Sequence, residues 1–113
     1  MDTVTPEQSL CRLDDIPDGE AIAVDATLRD GDESVIVLRK GEVVHAYLNI
    51  CPHAGRRLDW APGKFLLKND VLVCAAHGAS FNAGDGLCIG GPCRGEHLRA
   101  VAVEVVDGEV RLT

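Results

Sequence analysis

Two short segments pair a cysteine with a histidine: residues 51–53 read CPH, and residues 74–77 read CAAH. Thiolate sulfur and imidazole nitrogen are ligands that proteins use for zinc and for iron. The chain has five cysteines and four histidines in all, so two such close pairs indicate a metal site. The predicted ligands are Cys51, His53, Cys74 and His77.

The elements that position these pairs are predicted to be β-strands. Apolar runs rich in β-branched residues recur along the chain, divided by turns that contain glycine or asparagine. We predict strands over 21–24, 34–38, 43–48, 64–67, 71–73, 98–106 and 109–112. Asp107-Gly108 is a strong hairpin signal, and 68–70 also predicts a hairpin. The first pair follows the strand that ends near Ile50 and the second follows 71–73, so both pairs lie on loops at strand ends.

No segment predicts a helix. Residues 98–106 are the nearest case, but their valines and the Asp-Gly that follows favour a strand. A chain of 113 residues is long enough for a modest core and too short for two independent ones. The sequence therefore predicts a single domain over 1–113, all-β, made of stacked antiparallel sheets, with the metal-binding loops within about 50–93.

Charge and composition exclude several classes of protein. The net charge is −7, from 18 acidic and 11 basic residues, which argues against nucleic acid or an anionic membrane as a partner. An acidic surface suits docking onto a basic patch of another protein. We find no targeting segment and no apolar run of membrane-spanning length. The predicted location is therefore the cytoplasm, where thiols stay reduced and serve as metal ligands more often than as disulfides.

Two metal centres remain open from the residues alone. Two cysteines and two histidines suit a tetrahedral zinc ion or a two-iron two-sulfur (2Fe–2S) cluster in which histidines replace cysteines on one iron. In common zinc modules two cysteines come from one knuckle and two histidines from a helix. Here each loop supplies one of each and no helix is predicted. This division favours a cluster held from two sides.

The chain resembles the Rieske iron–sulfur proteins, whose signature is Cys-x-His followed by Cys-x-x-His. The resemblance extends to Gly78 after the second histidine, to Phe81, and to 90–92 (GGP), which is similar to the proline-containing third loop of the family. It covers most of the chain. One departure is the spacing of 20 residues between His53 and Cys74, a few more than the resemblance implies. The extra residues, around 60–64, are expected to lengthen the first loop.

The resemblance implies a Rieske-type 2Fe–2S cluster, one per chain, with Cys51 and Cys74 on one iron and His53 and His77 on the other. It implies a low-potential ferredoxin that passes single electrons from a flavin reductase to a terminal oxygenase and catalyses no reaction itself. Two alternatives stay open. One is a redox or structural small subunit of a reductase, as in nitrite reductases, and the other is a zinc-held interaction module.

The remaining cysteines and histidines are expected to play structural parts. Cys88 and Cys93 could close a small disulfide loop or touch the surroundings of the cluster, and we expect two free thiols packed near the third loop. Cys11 is expected in the core of the first strand. His45 and His97 have no neighbouring cysteine and are expected to be structural or exposed to solvent.

The resemblance also predicts a low reduction potential. High-potential Rieske proteins carry a serine two residues after the second histidine ligand and a tyrosine four residues after it, and both hydroxyls donate hydrogen bonds to the sulfur atoms of the centre. The matching residues here are Ala79 and Phe81, which cannot donate. Ser80 lies between them, and in a strand its side chain faces the opposite side.

Overall fold

The computed structural model describes residues 9–28, 31–52, 57–61, 63–75 and 78–113, which form an all-β fold as predicted. Within these ranges there is no α-helix, only a 3₁₀ turn at Leu13–Asp15. No helix there has the length and apolar character needed to cross a membrane. The strands are β1 Ser9–Arg12, β2 Ala21–Leu28, β3 Gly31–Lys40, β4 Val43–Leu48, β5 Leu66–Lys68, β6 Val71–Val73, β7 Ser80–Asn82, β8 Cys88–Gly90, β9 Val103–Val106 and β10 Glu109–Leu112.

The strands form three antiparallel sheets, as the sequence predicts. One sheet has the order β1-β10-β9, the second β2-β3-β4 and the third β5-β6-β7-β8. The first sheet joins the two ends of the described chain, because Ser9 pairs with Arg111 and Arg12 pairs with Glu109. The third sheet is a meander in which each strand pairs with its neighbour in sequence. It follows that the second cysteine–histidine pair, between β6 and β7, belongs to a locally connected unit.

The two predicted tight turns have the backbone that their residues favour. Asn69 and Asp70 have φ of 53° and 63°, and Asp107 and Gly108 have φ of 51° and 77°. Positive φ at both central residues is the mark of a type I′ turn, whose twist matches that of the flanking strands. The hairpins β5–β6 and β9–β10 are therefore confirmed.

The strand predicted over 98–106 is shorter in the structure, because only Val103–Val106 forms β9. The main chain of residues 98–101 forms hydrogen bonds on two sides. Leu98 N donates to Gly86 O at 2.9 Å, on the side of the third sheet, whereas Leu48 N donates to Arg99 O and Val101 N to Ala46 O, each at 2.9 Å. This segment lies across the junction of two sheets and cannot follow one partner as a strand does.

The hairpin of β3 and β4 has apolar residues on both faces. Along β3, Val35 and Val37 pack into one core, while Ile36 and Leu38 pack into the other. Successive side chains of a strand point to opposite faces, and a strand that is buried on both sides reads as a continuous apolar run. The hairpin therefore separates two apolar cores, and only one of them contains the predicted cysteine ligands. That core comprises Ile36, Leu38, Tyr47, Cys51, Leu58, Leu72, Cys74, Ala79, Phe81, Cys88, Cys93 and Leu98.

Tyr47 fastens β4 to the meander. Its hydroxyl donates to Ala83 O at 2.7 Å, and burial raises the pKa of this phenol to about 12. A Cβ at Gly86, whose φ is +75°, would lie 2.9 Å from Tyr47 Cε1, so only glycine allows the backbone to approach the ring this closely. The meander is thus held against β4. The loop that follows β4 carries Cys51 and is called the first ligand loop, and the loop that follows β6 carries Cys74 and is called the second ligand loop.

Candidate metal centre

The structure places Cys51 and Cys74 in one apolar core. Cys51 follows β4 by three residues, and Cys74 comes directly after β6. Both side chains are fully buried, and both belong to the core on the meander side of the hairpin. The other two predicted ligands, His53 and His77, lie outside the described residues. Within the part of the chain that is described, no three His, Cys, Asp or Glu side chains converge on a metal position.

The first ligand loop is closed by Asn49, a buried polar residue at its start. The Asn49 side-chain oxygen Oδ1 accepts a hydrogen bond from Leu58 N at 2.8 Å, and its Nδ2 donates to Ser34 Oγ at 3.3 Å. Asn49 N also donates to Ser34 O at 2.9 Å. Since a buried amide must keep its partners, these bonds hold both ends of the loop against β3. This role could not be predicted from the sequence, because Asn49 stands outside the cysteine–histidine motif.

Leu58 connects the two ligand loops through its main chain. Its amide donates to Asn49 Oδ1 in the first loop, and its carbonyl accepts from Ala75 N in the second loop at 3.1 Å. The Leu58 side chain is fully buried in the core that contains both cysteines. One residue therefore fixes the relative position of the loops that carry Cys51 and Cys74.

The second ligand loop is a tight turn closed on itself. Cys74 N donates to Ala79 O at 2.7 Å, and Gly78 N donates to Cys74 O at 2.8 Å. Gly78 has φ of +74°, which a residue with a side chain rarely adopts. The turn leads directly into β7, so hydrogen bonds define the backbone at Cys74, Gly78 and Ala79.

The third loop packs on the second through Gly91. A Cβ at this glycine would lie 2.7 Å from Ala79 Cα and 3.3 Å from Gly78 O. Both of these atoms belong to backbone that cannot turn aside as a side chain could. The contact shows that the third loop packs against the second ligand loop at Gly91.

Two further cysteines lie in the same core. Cys88 Sγ and Cys93 Sγ are 3.3 Å apart, whereas a disulfide needs about 2.05 Å, so the expectation of two free thiols is confirmed. Burial, followed by the hydrogen bond with Cys88, raises the pKa of the Cys93 thiol to about 12.

The extra residues of the first loop form a closed turn. Trp60 N donates to Lys64 O at 2.9 Å, and Lys64 N donates to Ala61 O at 2.8 Å. Asp59 supports the turn by accepting from Gly63 N at 3.0 Å and from Arg57 at 2.8 and 3.0 Å. The hydrogen bond from Arg57 lowers the pKa of the Asp59 carboxyl. The turn leaves the Trp60 indole 60% exposed.

The remaining candidates take no part in the centre. His45 lies half-buried within β4, as predicted, and His97 is exposed. Cys11 lies in β1, where it is half-buried against the other core. Burial raises the pKa of the Cys11 thiol to about 11. The expectation that these three residues are structural or solvent-facing agrees with their positions.

Comparison with known protein families agrees with this arrangement of loops. The Rieske 2Fe-2S domain family matches residues 7–107, and the chain belongs to this family. The ferredoxin component of an alkene monooxygenase system from Xanthobacter autotrophicus is 31% identical over 103 residues, which cover 89% of this chain and 75% of the relative.

Solved structures of ferredoxins share the fold. The ferredoxin of carbazole 1,9a-dioxygenase from Nocardioides aromaticivorans is 26% identical with a TM-score of 0.75, over 96% of this chain and 98% of that one. A chain in a complex of reduced oxygenase and oxidized ferredoxin of carbazole 1,9a-dioxygenase is 28% identical with a TM-score of 0.76, over 95% and 92%. The protein is therefore a one-electron carrier, and its cofactor is a Rieske-type 2Fe–2S cluster.

The described residues are compatible with binding the iron of such a cluster that has cysteine ligands. Two cysteines approach from two loops that share a main-chain link, so both sulfur atoms enter one core without a change of backbone. The surrounding side chains, Leu58 and Phe81 among them, are apolar and fully buried. When bound, the cluster supplies the one-electron chemistry, while these residues exclude water and set its surroundings.

The two side chains expected to set the potential also lie in this core. Ala79 and Phe81 are fully buried beside Cys51 and Cys74, whereas Ser80 is only half-buried and does not belong to that core. This alternation agrees with the strand assignment of β7. Neither Ala79 nor Phe81 has a polar hydrogen to offer to a sulfur atom.

We expect a reduction potential near the low end of the Rieske range, about −150 mV. A hydrogen bond to a charged group contributes about 1.5–3 kcal/mol, and about 1.4 kcal/mol corresponds to roughly 59 mV for one electron. Phe81→Tyr and Ala79→Ser should therefore raise the potential, together by roughly 100 mV or more. A spectroscopic redox titration at neutral pH measures this. A wild-type value well above zero would contradict the low potential.

Gly91→Ala is expected to disturb the centre, with Gly95→Ala as a matched control. Both glycines have similar positive φ, +92° and +94°, but a Cβ at Gly95 meets nothing within 4 Å. Backbone strain is thus equal, and only Gly91→Ala must push the third loop off Ala79. We expect Gly91→Ala to lose most of its cluster absorbance during purification and Gly95→Ala to keep it. Equal retention in both variants would show that the third loop does not need this contact.

Proposed function

We propose that Cys51 and Cys74 bind one iron of the cluster and that His53 and His77 bind the other. The burial of both cysteines in one core and the main-chain link at Leu58 support the first half. The second half rests on the family signature, because each histidine stands at the family spacing from its cysteine. One cluster per chain follows from one set of four ligands within a single domain over 1–113.

This ligand set explains why electrons enter and leave at the histidine side. Neutral imidazoles replace two thiolates, so the cluster carries less negative charge than an all-cysteine cluster and accepts an electron more readily. His53 and His77 would hold the iron that has the less negative ligand set, and the cluster would supply one-electron chemistry on that side. Cys51 and Cys74 lie deep in the core, so we assign partner docking to the side of the centre that His53 and His77 would hold.

Serine substitutions separate the ligands from the other cysteines. Cys51→Ser and Cys74→Ser should lose the cluster and part of the folding stability, since metal binding contributes to folding in a small domain. Cys11→Ser is the matched control, because Cys11 is half-buried in β1 and packs in the other core.

The cluster is measured by visible absorption, by iron and sulfide content, and by electron paramagnetic resonance (EPR) of the dithionite-reduced protein. A Cys51→Ser protein with an unchanged spectrum would contradict the ligand set, and a colourless wild type that binds zinc would contradict the cluster.

In this proposal the protein passes electrons from a flavin reductase to a terminal oxygenase. It performs no chemistry on a substrate itself. The relatives described above support this proposal, since they are ferredoxins of oxygenase systems. They favour it over the alternative of a nitrite-reductase-like subunit. The two adjacent but unjoined thiols of Cys88 and Cys93 suit a reducing compartment, and we place the protein in the cytoplasm.

Charge and exposed apolar surface indicate how a partner docks. The net charge of −7 favours a basic partner and speeds the encounter at low salt. Near the first ligand loop, Ile50 is 39% exposed and Trp60 is 60% exposed. Trp60 lies two residues from Leu58, so its indole offers an apolar anchor beside the centre, of the kind that contributes most at protein interfaces.

Stopped-flow electron transfer tests the carrier role. The loaded protein should take electrons from its reductase and pass them to the oxygenase, with rates that fall as salt rises. Trp60→Ala should slow the transfer several-fold without changing the potential. Val43→Ala is the matched control, because Val43 is similarly exposed, at 58%, but stands at the far end of β4 from the ligand loop. Reduction by the reductase with no transfer to the oxygenase would contradict the proposal, and rates independent of salt would contradict electrostatic docking.

A further inference from the structure

The charges of the chain are distributed unevenly. Residues 50–93, which contain both ligand loops and the meander, carry four basic and three acidic side chains, whereas the rest of the chain carries seven basic and fifteen acidic ones. In the structure two of the three acidic side chains are ion-paired, Asp59 with Arg57 and Asp70 with Lys40. The excess of negative charge therefore lies outside the segment that carries the predicted centre.

The meander has one face in the core and one face open to solvent. Phe65 and Leu67 pack against the core, and the residues that alternate with them, Lys64, Leu66 and Lys68, are exposed. Successive side chains of an extended chain point to opposite faces, so these three residues share the open face. Among the described residues, neither lysine has an ion-pair partner. The open face thus presents an apolar side chain between two uncompensated positive charges.

The open face continues across the sheet next to the second ligand loop. Leu66 pairs with Val73, and Val73 pairs with Ser80, so the half-buried Val73 stands beside Leu66 on the same face. Val73 directly precedes Cys74. At the other edge of the sheet Ile89 is 41% exposed. An apolar row therefore crosses the open face at the level where the second ligand loop begins.

The β2–β3 hairpin, in contrast, brings acidic side chains to the first ligand loop. A shallow cleft is lined by Arg57 of that loop together with Asp25, Thr27, Asp32 and Glu33. Asp25 and Asp32 are exposed. The two ligand loops therefore have neighbours of opposite charge, with carboxylates beside the first loop and lysines beside the second.

Neighbours of opposite charge suit two partners with opposite requirements. A reductase must bind the oxidised protein and release the reduced one, whereas an oxygenase must bind the reduced protein and release the oxidised one. Reduction adds one negative charge at the centre. An acidic partner surface beside the centre repels that added charge and so prefers the oxidised protein, whereas a basic surface prefers the reduced protein.

We propose that the open face of the meander, with Lys64, Leu66 and Lys68, docks the reductase through a surface of the reductase that is acidic around an apolar patch. This inference rests on the proposed carrier function and assigns one of its two partners to one surface. The reductase loses one electron, the centre gains it, and the added negative charge weakens the complex. The oxygenase is then the basic partner that the net charge of the chain favours, and it meets the carboxylates beside the first ligand loop.

Reversing the charge of the two lysines tests the surface. Lys64→Glu/Lys68→Glu should slow reduction of the loaded protein by its reductase about tenfold at low salt, while transfer to the oxygenase is no slower than in the wild type. Arg12→Glu/Arg99→Glu is the matched control, because it lowers the net charge by the same amount at exposed residues outside the meander. The control should keep a rate of reduction close to that of the wild type.

Binding measurements separate docking from an effect on the centre. By surface plasmon resonance, the dissociation constant between the reductase and the oxidised protein should rise about tenfold in Lys64→Glu/Lys68→Glu. The difference from the wild type should vanish near 1 M salt, where the screening length is about 3 Å. Leu66→Ala, which changes no charge, should weaken the same complex several-fold. The reduced wild type should bind the reductase more weakly than the oxidised wild type does.

Three results would overturn the proposal. They are wild-type rates of reduction in Lys64→Glu/Lys68→Glu, a loss confined to transfer to the oxygenase, and an equal loss in both half-reactions. Slowing of reduction to the same extent in Arg12→Glu/Arg99→Glu would also overturn it, because net charge and not this face would then set the rate. A wild-type protein that the reductase cannot reduce and the oxygenase cannot oxidise would instead contradict the carrier function itself.

Discussion

The fold depends on one constraint, which is that the β3–β4 hairpin is apolar on both faces. Val35 and Val37 need cover on one side, and Ile36 and Leu38 need it on the other. A sheet with two apolar faces is stable only between two layers. The terminal sheet, β1-β10-β9, therefore packs against one core, and the meander, β5-β6-β7-β8, packs against the other. Because the first ligand loop continues from β4 and the second belongs to the meander, the same packing that buries the hairpin brings Cys51 and Cys74 together.

The centre is held by main-chain bonds more than by side-chain chemistry. Leu58 bonds to both ligand loops, Asn49 closes the first, and the turn from Cys74 to Ala79 closes on itself. Polar groups in a buried site strengthen one another only when all are satisfied. The core around the two cysteines consists mainly of apolar side chains, with Cys88 and Cys93 among them. Such surroundings favour a tightly held cluster with little solvent contact on its cysteine side.

Much of this arrangement could be predicted from the sequence, because it depends on residue type. Asn69-Asp70 and Asp107-Gly108 mark their turns through tolerance of positive φ, and the motif spacing marks the ligand loops. The strands β7 and β8 have three residues each, too short for a periodic pattern. Residues 98–102 carry valine and alanine in a strand-like order but bond to two different sheets. The hydrogen bonds of Leu58 to the two ligand loops use its main-chain amide and carbonyl groups. Because nearly every residue has these groups, the residue type at 58 does not predict the bonds. The packing of Gly91 against Ala79 depends on the path of the third loop.

The pairing of β1 with β10 has a consequence for how the chain folds. Ser9 must meet Arg111, and contacts this far apart in sequence form slowly because closing a long loop costs entropy. The meander from Leu66 to Gly90 pairs only neighbours, so it forms early. The meander, which carries Cys74, precedes β10 in sequence and therefore emerges and pairs during synthesis before the terminal sheet can close. The turn at Cys74 can thus form before the pairing that joins Ser9 to Arg111.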